Sequence, residues 1–222
     1  LALLDLLLFM AKRTNFSGPQ VFLLVGLAAG LVLGAGCSGL PPRVDAPDWD
    51  PDGFADAVME KLDASGDGQI DAAELAAAPG LAFGAKHIDT DGDGQLSRDE
   101  LVARFEFYVQ RRIGLTTKEI QILYKNRPLR NAQVKLVPEF FLADLLEVAQ
   151  GVTDASGSVL PEIGSNELRT PTMRTGYYRM EITSPDEDLP PEYNTATTLG
   201  VEISPAPDDA ATYGPIVLRI DK

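Results

Sequence analysis

Asp63-Ala64-Ser65-Gly66-Asp67-Gly68-Gln69-Ile70-Asp71-Ala72-Ala73-Glu74 and Asp89-Thr90-Asp91-Gly92-Asp93-Gly94-Gln95-Leu96-Ser97-Arg98-Asp99-Glu100 are two copies of one twelve-residue pattern. Positions 1, 3 and 5 carry short oxygen side chains: Asp63, Ser65 and Asp67 in the first copy, Asp89, Asp91 and Asp93 in the second. Position 7, Gln69 or Gln95, supplies its backbone carbonyl, and position 9, Asp71 or Ser97, supplies a side chain or holds a water. Glu74 and Glu100 at position 12 are able to bind an ion through both oxygens. The glycine at position 6, Gly68 or Gly94, permits the sharp turn that wraps these groups around one centre. Hard oxygen donors in a flexible ring select calcium over zinc, so two Ca2+ ions are expected. A solvated acidic turn would account for Asp and Gly in a loop. It gives no reason for Gly at position 6, an aliphatic residue at position 8 and Glu at position 12 to recur together. Asp99, at position 11, has no ligand role in this pattern.

The flanks fit the loops. Phe54, Val58 and Leu62 recur every four residues before the first copy, and Leu101, Phe105 and Val109 after the second, as two apolar helical stripes. Asp71 and Ser97 each stand three residues before a Glu, the spacing of a capping box opening the helix that leaves each loop. Ile70 and Leu96, at position 8, are placed to pair across a two-stranded bridge. The tandem pattern resembles the EF-hand family, which implies helix–loop–helix calcium sites. Leu75 to Ile88 leaves only 14 residues between the loops, with Pro79-Gly80 inside them. Both inner helices are therefore expected to be short, which favours a compact structural calcium pair over a calmodulin-like opening groove. Dockerins also carry tandem calcium loops but lack a well-formed entering helix, and a dockerin-like reading stays open here.

The N-terminal region bears on location. Lys12 and Arg13 precede a 13-residue apolar run, Val21 to Leu33, that ends Leu33-Gly34-Ala35-Gly36-Cys37. A charged start, a short apolar core and small residues before a cleavage point describe a secretory signal peptide. The run is short for a membrane span, which needs about 20 residues. The segment ending in Cys37 resembles a bacterial lipobox, with the usual Leu displaced by one position. That resemblance implies lipidation at Cys37, cleavage before it, and anchoring in the bacterial cell envelope; Ser38 resembles the sorting residue of outer-membrane members. Cys37 is the one cysteine in 222 residues, so it forms no internal disulfide. Met10-Ala11-Lys12-Arg13 makes a better signal start than Leu1, so residues 1–9 are expected to be an upstream extension. Residues 37–50, rich in Gly, Pro and Asp, read as a tether, with Trp49 packed on the following helix. The formal net charge of −14, much of it in the two loops, excludes a phosphate-neutralising patch, so no nucleic-acid partner is expected.

From about Leu115 the pattern changes to short alternating strands. Candidates are Glu119–Lys125, Ala132–Val137, Val148–Thr153, Tyr177–Thr183, Leu199–Ser204 and Pro215–Ile220, with turns at Asn126–Pro128 and Asp154–Gly157. Phe140 to Leu146 reads as a short helical or irregular insertion. Roughly seven strands over about 105 residues suit an all-β sandwich. The runs Ile122-Leu-Tyr-Lys-Asn-Arg-Pro-Leu129 and Ala132-Gln-Val-Lys-Leu-Val-Pro138 open this half, and a hairpin follows at Gly151-Val-Thr153-Asp154-Ala-Ser-Gly157-Ser-Val-Leu160. They resemble carboxypeptidase-regulatory-like or transthyretin-like sandwiches, as do Gly176–Ile182 and Leu189–Asn194. The expected organisation is multidomain: signal region 1–36, tether 37–50, a small all-α EF-hand pair over 51–112, and an all-β, prealbumin/Ig-like sandwich over 115–222.

An enzyme is not expected. Some members of the transthyretin-like family resembled here are hydrolases that use several histidines, whereas this chain has His87 alone, read as a helix-surface residue. One His and one lipidated Cys assemble no nucleophile–base set, although a carboxylate-only hydrolase remains formally open. A self-crosslinking adhesin would need Lys125 or Lys135 to meet Asn194; the plainer reading has both lysines facing solvent. The expected function is a non-enzymatic, calcium-binding, extracytoplasmic lipoprotein whose sandwich is a scaffold or binds an unidentified envelope protein or glycan. The alternative is a cell-envelope adhesion or assembly module.

Overall fold

Residues 44–164, 170–206 and 214–220 are described by the computed structural model. The expected signal region, the lipidation residue Cys37 and the start of the tether lie outside the described residues. Helix α1, Pro51–Leu62, starts where the Asp50 side chain accepts the Gly53 amide at 3.1 Å and Pro51 presets the first helical φ. It buries Ala55, Val58 and Leu62, with Phe54 packed at the core's edge. Strand β1, Gln69–Ile70, leads into α2, Ala72–Leu75. Helix α3, Pro79–Ile88, follows, then β2, Leu96–Ser97, and α4, Arg98–Arg111.

Two helix expectations need correction. Only α2, at four residues, is as short as the spacing implied; α3 runs for ten. Pro79 sits in the first turn of α3, where no intrahelical partner awaits its missing N–H, so it begins a helix instead of interrupting one. On α4 the buried stripe is Leu101, Arg104, Phe105 and Tyr108, while Val109 is 43% exposed. At 3.6 residues per turn the seventh residue on from Leu101 returns closer to its face than the eighth does.

The β half forms two sheets. The first has the order β10-β9-β5-β6-β8, antiparallel throughout, from Gly200–Ile203, Gly176–Thr183, Gln133–Pro138, Ala149–Val152 and Glu162–Ile163 respectively. The second centres on β3, Ile120–Tyr124, which pairs in parallel with β11, Ile216–Ile220. The other edge of β3 is shared by β4, Arg127–Pro128, and β7, Ser158–Val159. Each expected strand is present to within a residue or two, and Phe140–Leu142 is a 3₁₀ turn. The first turn lies one step earlier than expected. Lys125 and Asn126 take φ of 50° and 61°, the left-handed pair of a two-residue hairpin, so Arg127–Pro128 is the returning strand. The expected hairpin at Gly151–Leu160 is also corrected. Asp154 Oδ1 accepts the Ser156 and Ser158 amides, and Gly157 takes φ of 75°, so the tight turn exists. Its arms separate, however, with β6 joining β5 and β8 while β7 joins β3, so the turn carries the chain from one sheet to the other.

Burial along β9 and β10 departs from simple alternation. Tyr177 and its neighbour Tyr178 are both fully buried, and all four residues of β10 are buried. An antiparallel strand with one wet face alternates; here β10 and the start of β9 are covered on both. Tyr178, Met180, Val201 and Ile203 lie on one face, and Tyr177 and Glu202, paired directly in the register, lie on the other, under α3 and α4. The helical and β halves therefore share a continuous core within one compact unit, Val44–Lys222. Trp49 stacks on Tyr108 at 4.3 Å and meets Phe54 of α1 edge-on at 5.8 Å, so it packs on the exit helix as well as on the one that follows it.

Candidate metal centre

The two loops organise themselves through their own amides. In the first, Asp63 accepts the Gly66 amide at 2.7 Å and the Gly68 amide at 3.0 Å, and the Ser65 hydroxyl at 3.2 Å. Asp67 accepts the Gln69 amide at 2.9 Å. Gly66 and Gly68 take φ of 74° and 87°, left-handed values that a side chain would strain. The second loop repeats the scheme: Asp89 accepts from Gly92 at 2.6 Å and Gly94 at 3.0 Å, Asp91 from Asp93 at 3.1 Å, and Asp93 from Gln95 at 2.8 Å. Gln69 opens β1, and Gln95 immediately precedes β2.

The exits are capped as expected. Asp71 accepts the Ala73 and Glu74 amides, and Glu74 returns to accept the Asp71 amide at 3.0 Å. Ser97 and Glu100 form the same reciprocal pair. The second oxygen of each Glu reaches back across its loop, Glu74 Oε1 to the Ser65 amide at 2.9 Å and Glu100 Oε1 to the Thr90 amide at 2.8 Å. Partial burial works against the charge on Glu100, but the amides of Ser97 and Thr90 outweigh it and hold the carboxyl at about 2. Desolvation also works against the charge on Asp63, but the Gly68 and Gly66 amides and the Ser65 hydroxyl together outweigh it and hold that carboxyl below the ordinary range. Ile70 pairs with Leu96 and Gln69 with Ser97 across β1–β2, and both aliphatic side chains are buried, so the loops form one back-to-back unit.

The donor set fits calcium. The carboxylates of Asp89, Asp91 and Asp93 bring one oxygen each to within 4.8 Å of one another. Three like charges at that separation repel unless a cation stands among them. In the first loop, Ser65 takes the place of the middle carboxylate, while Asp63, Asp67, Asp71 and Glu74 keep four carboxylates at ligand positions.

Sequence reasoning missed a second polar centre and misplaced His87. The residue is not on a solvated surface: its Nδ1 lies 2.9 Å from Glu202 Oε2, and its side chain is 14% exposed. Glu202 Oε1 accepts from Arg104 Nη2 at 2.7 Å, Arg104 Nε at 3.1 Å and the Tyr108 hydroxyl at 2.8 Å. Burial pushes the Glu202 carboxyl up, but His87, Arg104 and Tyr108 together outweigh it, so the group stays ionised below the ordinary carboxylate range. The signal in the sequence was a lone acid inside the apolar strand Gly200-Val-Glu-Ile203 and an Arg on the buried stripe of α4. A second carboxylate, Glu139, is 3% exposed and accepts the Gly80 amide at 2.6 Å. The adhesin-type crosslink is not assembled. Lys125 Nζ sits over the Tyr124 ring, Lys135 Nζ pairs with Glu181 at 3.1 Å, and Asn194 Nδ2 donates to the Leu189 carbonyl at 3.2 Å.

Among the described residues no helix is long and apolar enough to cross a membrane. Residues 54–77 and 86–105 match a family model described as EF hand, whose members imply Ca2+ as the ligand. No curated protein and no solved structure matches the chain.

Proposed function

We propose that this protein is a non-enzymatic, calcium-binding lipoprotein of the bacterial cell envelope, in which two ions brace the paired loops of a helical half docked on a β scaffold. The observation that carries the calcium reading is the joined pair of loops, with Asp89, Asp91 and Asp93 converging and Ile70 bridged to Leu96, in the segment matched by the EF-hand model. Asp63, Ser65, Asp67, the Gln69 carbonyl, Asp71 and Glu74 would hold one ion. Asp89, Asp91, Asp93, the Gln95 carbonyl, Ser97 and Glu100 would hold the other. Each ion supplies charge neutralisation among carboxylates that otherwise repel. The protein's own part is to aim those oxygens, through the glycine turns, the amide bonds and the capped helices. The twelve-residue entering helix α1 supports an EF-hand pair over a dockerin.

The envelope address rests on Lys12, Arg13, the apolar run to Leu33 and Cys37. The β half is proposed as a transthyretin-like scaffold or partner-binding module on the strength of its two-sheet order and strand sequence. The non-enzymatic reading draws support from the burial of the chain's one histidine, His87, whose side chain is 14% exposed. Extracellular calcium modules bind at about 10⁻⁴–10⁻³ M, a range suited to an ion always present outside the cytoplasm. Calorimetry on the chain from Cys37 onward should show two calcium events; absence of calcium heat, together with an unfolding temperature indifferent to chelator, would sink the calcium reading. The address is tested separately by fractionating cells. Cys37→Ser should move the protein out of the membrane fraction.

A further inference from the structure

We propose that Glu202, on a strand about a hundred residues from the loops, is a positioning residue of the second calcium site and makes it the tighter of the two. The inference rests on the calcium reading above. Asp89 is the residue immediately after α3, and Glu100 stands in the first turn of α4. The separation of ligand positions 1 and 12 is therefore fixed by how α3 and α4 cross. One carboxylate grips both helices, Oε2 on His87 in the last turn of α3 and Oε1 on Arg104 and Tyr108 of α4. Glu202 and Arg104 are 2% and 7% exposed at the side chain, so solvent does not loosen the grip.

The other end of α3 is held as well. Its N-cap, Ala78, has no capping side chain, and the buried Glu139 at the end of β5 supplies that acceptor to the Gly80 amide. Between the two carboxylates the helix lies directly on β9 and β10. A Cβ on Gly80 would meet the Tyr178 amide nitrogen at 2.7 Å, and one on Gly84 would meet Tyr177 Cε1 at 2.7 Å. Sensor pairs expose an apolar groove when their helices swing apart on binding calcium. Here β9 and β10 occupy the ground into which α3 would swing. The arrangement fixes the loop geometry in advance of the ion.

Among the described residues no buried carboxylate joins the two helices of the first loop, although α1 packs Ala55, Val58 and Leu62 into the core and Phe54 against Phe141. That loop lies between α1 and the four-residue α2, and the ion pairs joining α1 to α4, Asp52 and Asp56 with Arg98, are solvent-exposed. Both loops carry four carboxylates at ligand positions, so ligand charge does not separate them. Calcium affinity in such loops follows ligand charge and site rigidity, and rigidity is the term that differs. Loss of a partner bonded to a metal ligand typically weakens binding by about 10–100-fold, and Glu202 acts one step further out, through the helices that carry the ligands, so the low end of that range applies.

The test is calcium titration calorimetry on the chain from Cys37 onward at low temperature, with near-UV dichroism confirming the native state. Glu74→Gln isolates the second loop, and Glu100→Gln isolates the first. Adding Glu202→Gln should raise Kd of the second loop about ten-fold while leaving Kd of the first within about two-fold. A fall in unfolding temperature with the second-loop Kd unchanged would reduce Glu202 to a stability residue and overturn the proposal, as would equal weakening of both loops. Should Glu202→Gln not fold, Tyr108→Phe removes one hydrogen bond and keeps the ring. A smaller shift of the same sign, confined to the second loop, is then expected, and no shift overturns the proposal. Failure of the parent chain to bind calcium would instead refute the function on which this inference depends.

Discussion

Gly80→Ala separates local helix propensity from the packing of α3 on the sheet. In an exposed helix this substitution stabilises by about 0.5–1 kcal/mol, because glycine loses more backbone freedom on folding than alanine. In this chain the new methyl would lie 2.7, 2.8 and 2.9 Å from the amide nitrogen, carbonyl oxygen and carbonyl carbon of Tyr178. These are backbone atoms of β9, which is paired to β5 on one side and β10 on the other. The strand has nowhere to move, so relief comes from displacing α3, which pulls the Gly80 amide from Glu139 and His87 from Glu202. Overpacking of this kind costs about 1–3 kcal/mol, and loss of a helix cap about 1 kcal/mol more. The packing term wins, and the net change is a destabilisation of about 2 kcal/mol. For a unit of this size that lowers the unfolding temperature by roughly 4–8 °C. Urea unfolding followed by the fluorescence of Trp49, the chain's one tryptophan, provides the assay. Gly164→Ala, where a Cβ meets nothing within 4 Å, is the control and should be close to neutral. A Gly80→Ala protein as stable as the parent, or more stable, would refute direct seating of α3 on β9.

Glu139 and Glu202 should respond to pH with opposite signs. Burial pushes the Glu139 carboxyl up, more than the Gly80 amide and Arg179 pull it down, so the folded chain holds that proton more tightly than the unfolded chain. Its contribution is most favourable at acid pH and is lost as pH rises through the raised value. Glu139→Gln keeps an oxygen for the Gly80 amide and removes the buried charge, and should be neutral or stabilising at pH 7, whereas Glu139→Ala should cost about 1 kcal/mol; equal losses in urea titrations would contradict this. The Glu202 carboxyl is depressed below its ordinary 4.5, so its stabilisation is fully present above that value and is lost as pH falls towards the lower folded value. In chelator, which removes competition from the metal, Glu202→Gln should flatten the acid limb of the stability–pH curve below 4.5; an unchanged limb would show that Glu202 carries no linked proton.

The calcium loops were legible because their chemistry is local. Position 1 and position 12 are eleven residues apart, the glycine turns and capping boxes lie between them, and Ile70 and Leu96 sit at the same step of each loop. The strands of the β half were legible for a similar reason, since alternation in Ile120–Tyr124 or Gln133–Pro138 records a single buried face. Legibility ended where a second surface arrived. Helix geometry already puts Tyr108 ahead of Val109 on the Leu101 face, but only the docked structure brings Trp49, Tyr177 and Glu202 there to receive it. The Asp154 turn reads as a hairpin because its turn chemistry is that of one, while the sheet that each arm joins depends on the position of β3.

The metal-binding loops, the helix caps and the order of helices followed by strands are written locally in the chain, since each is a matter of residues within a dozen positions of one another. What those loops are fixed to depends on long-range packing. Arg104 and Glu202 stand 98 positions apart and His87 and Glu202 stand 115 apart, and no periodicity in the chain links them. A carboxylate is stable in that core only because three donors from two helices converge on it. That convergence belongs to the docking of α3 and α4 on the sheet and to nothing written near Glu202.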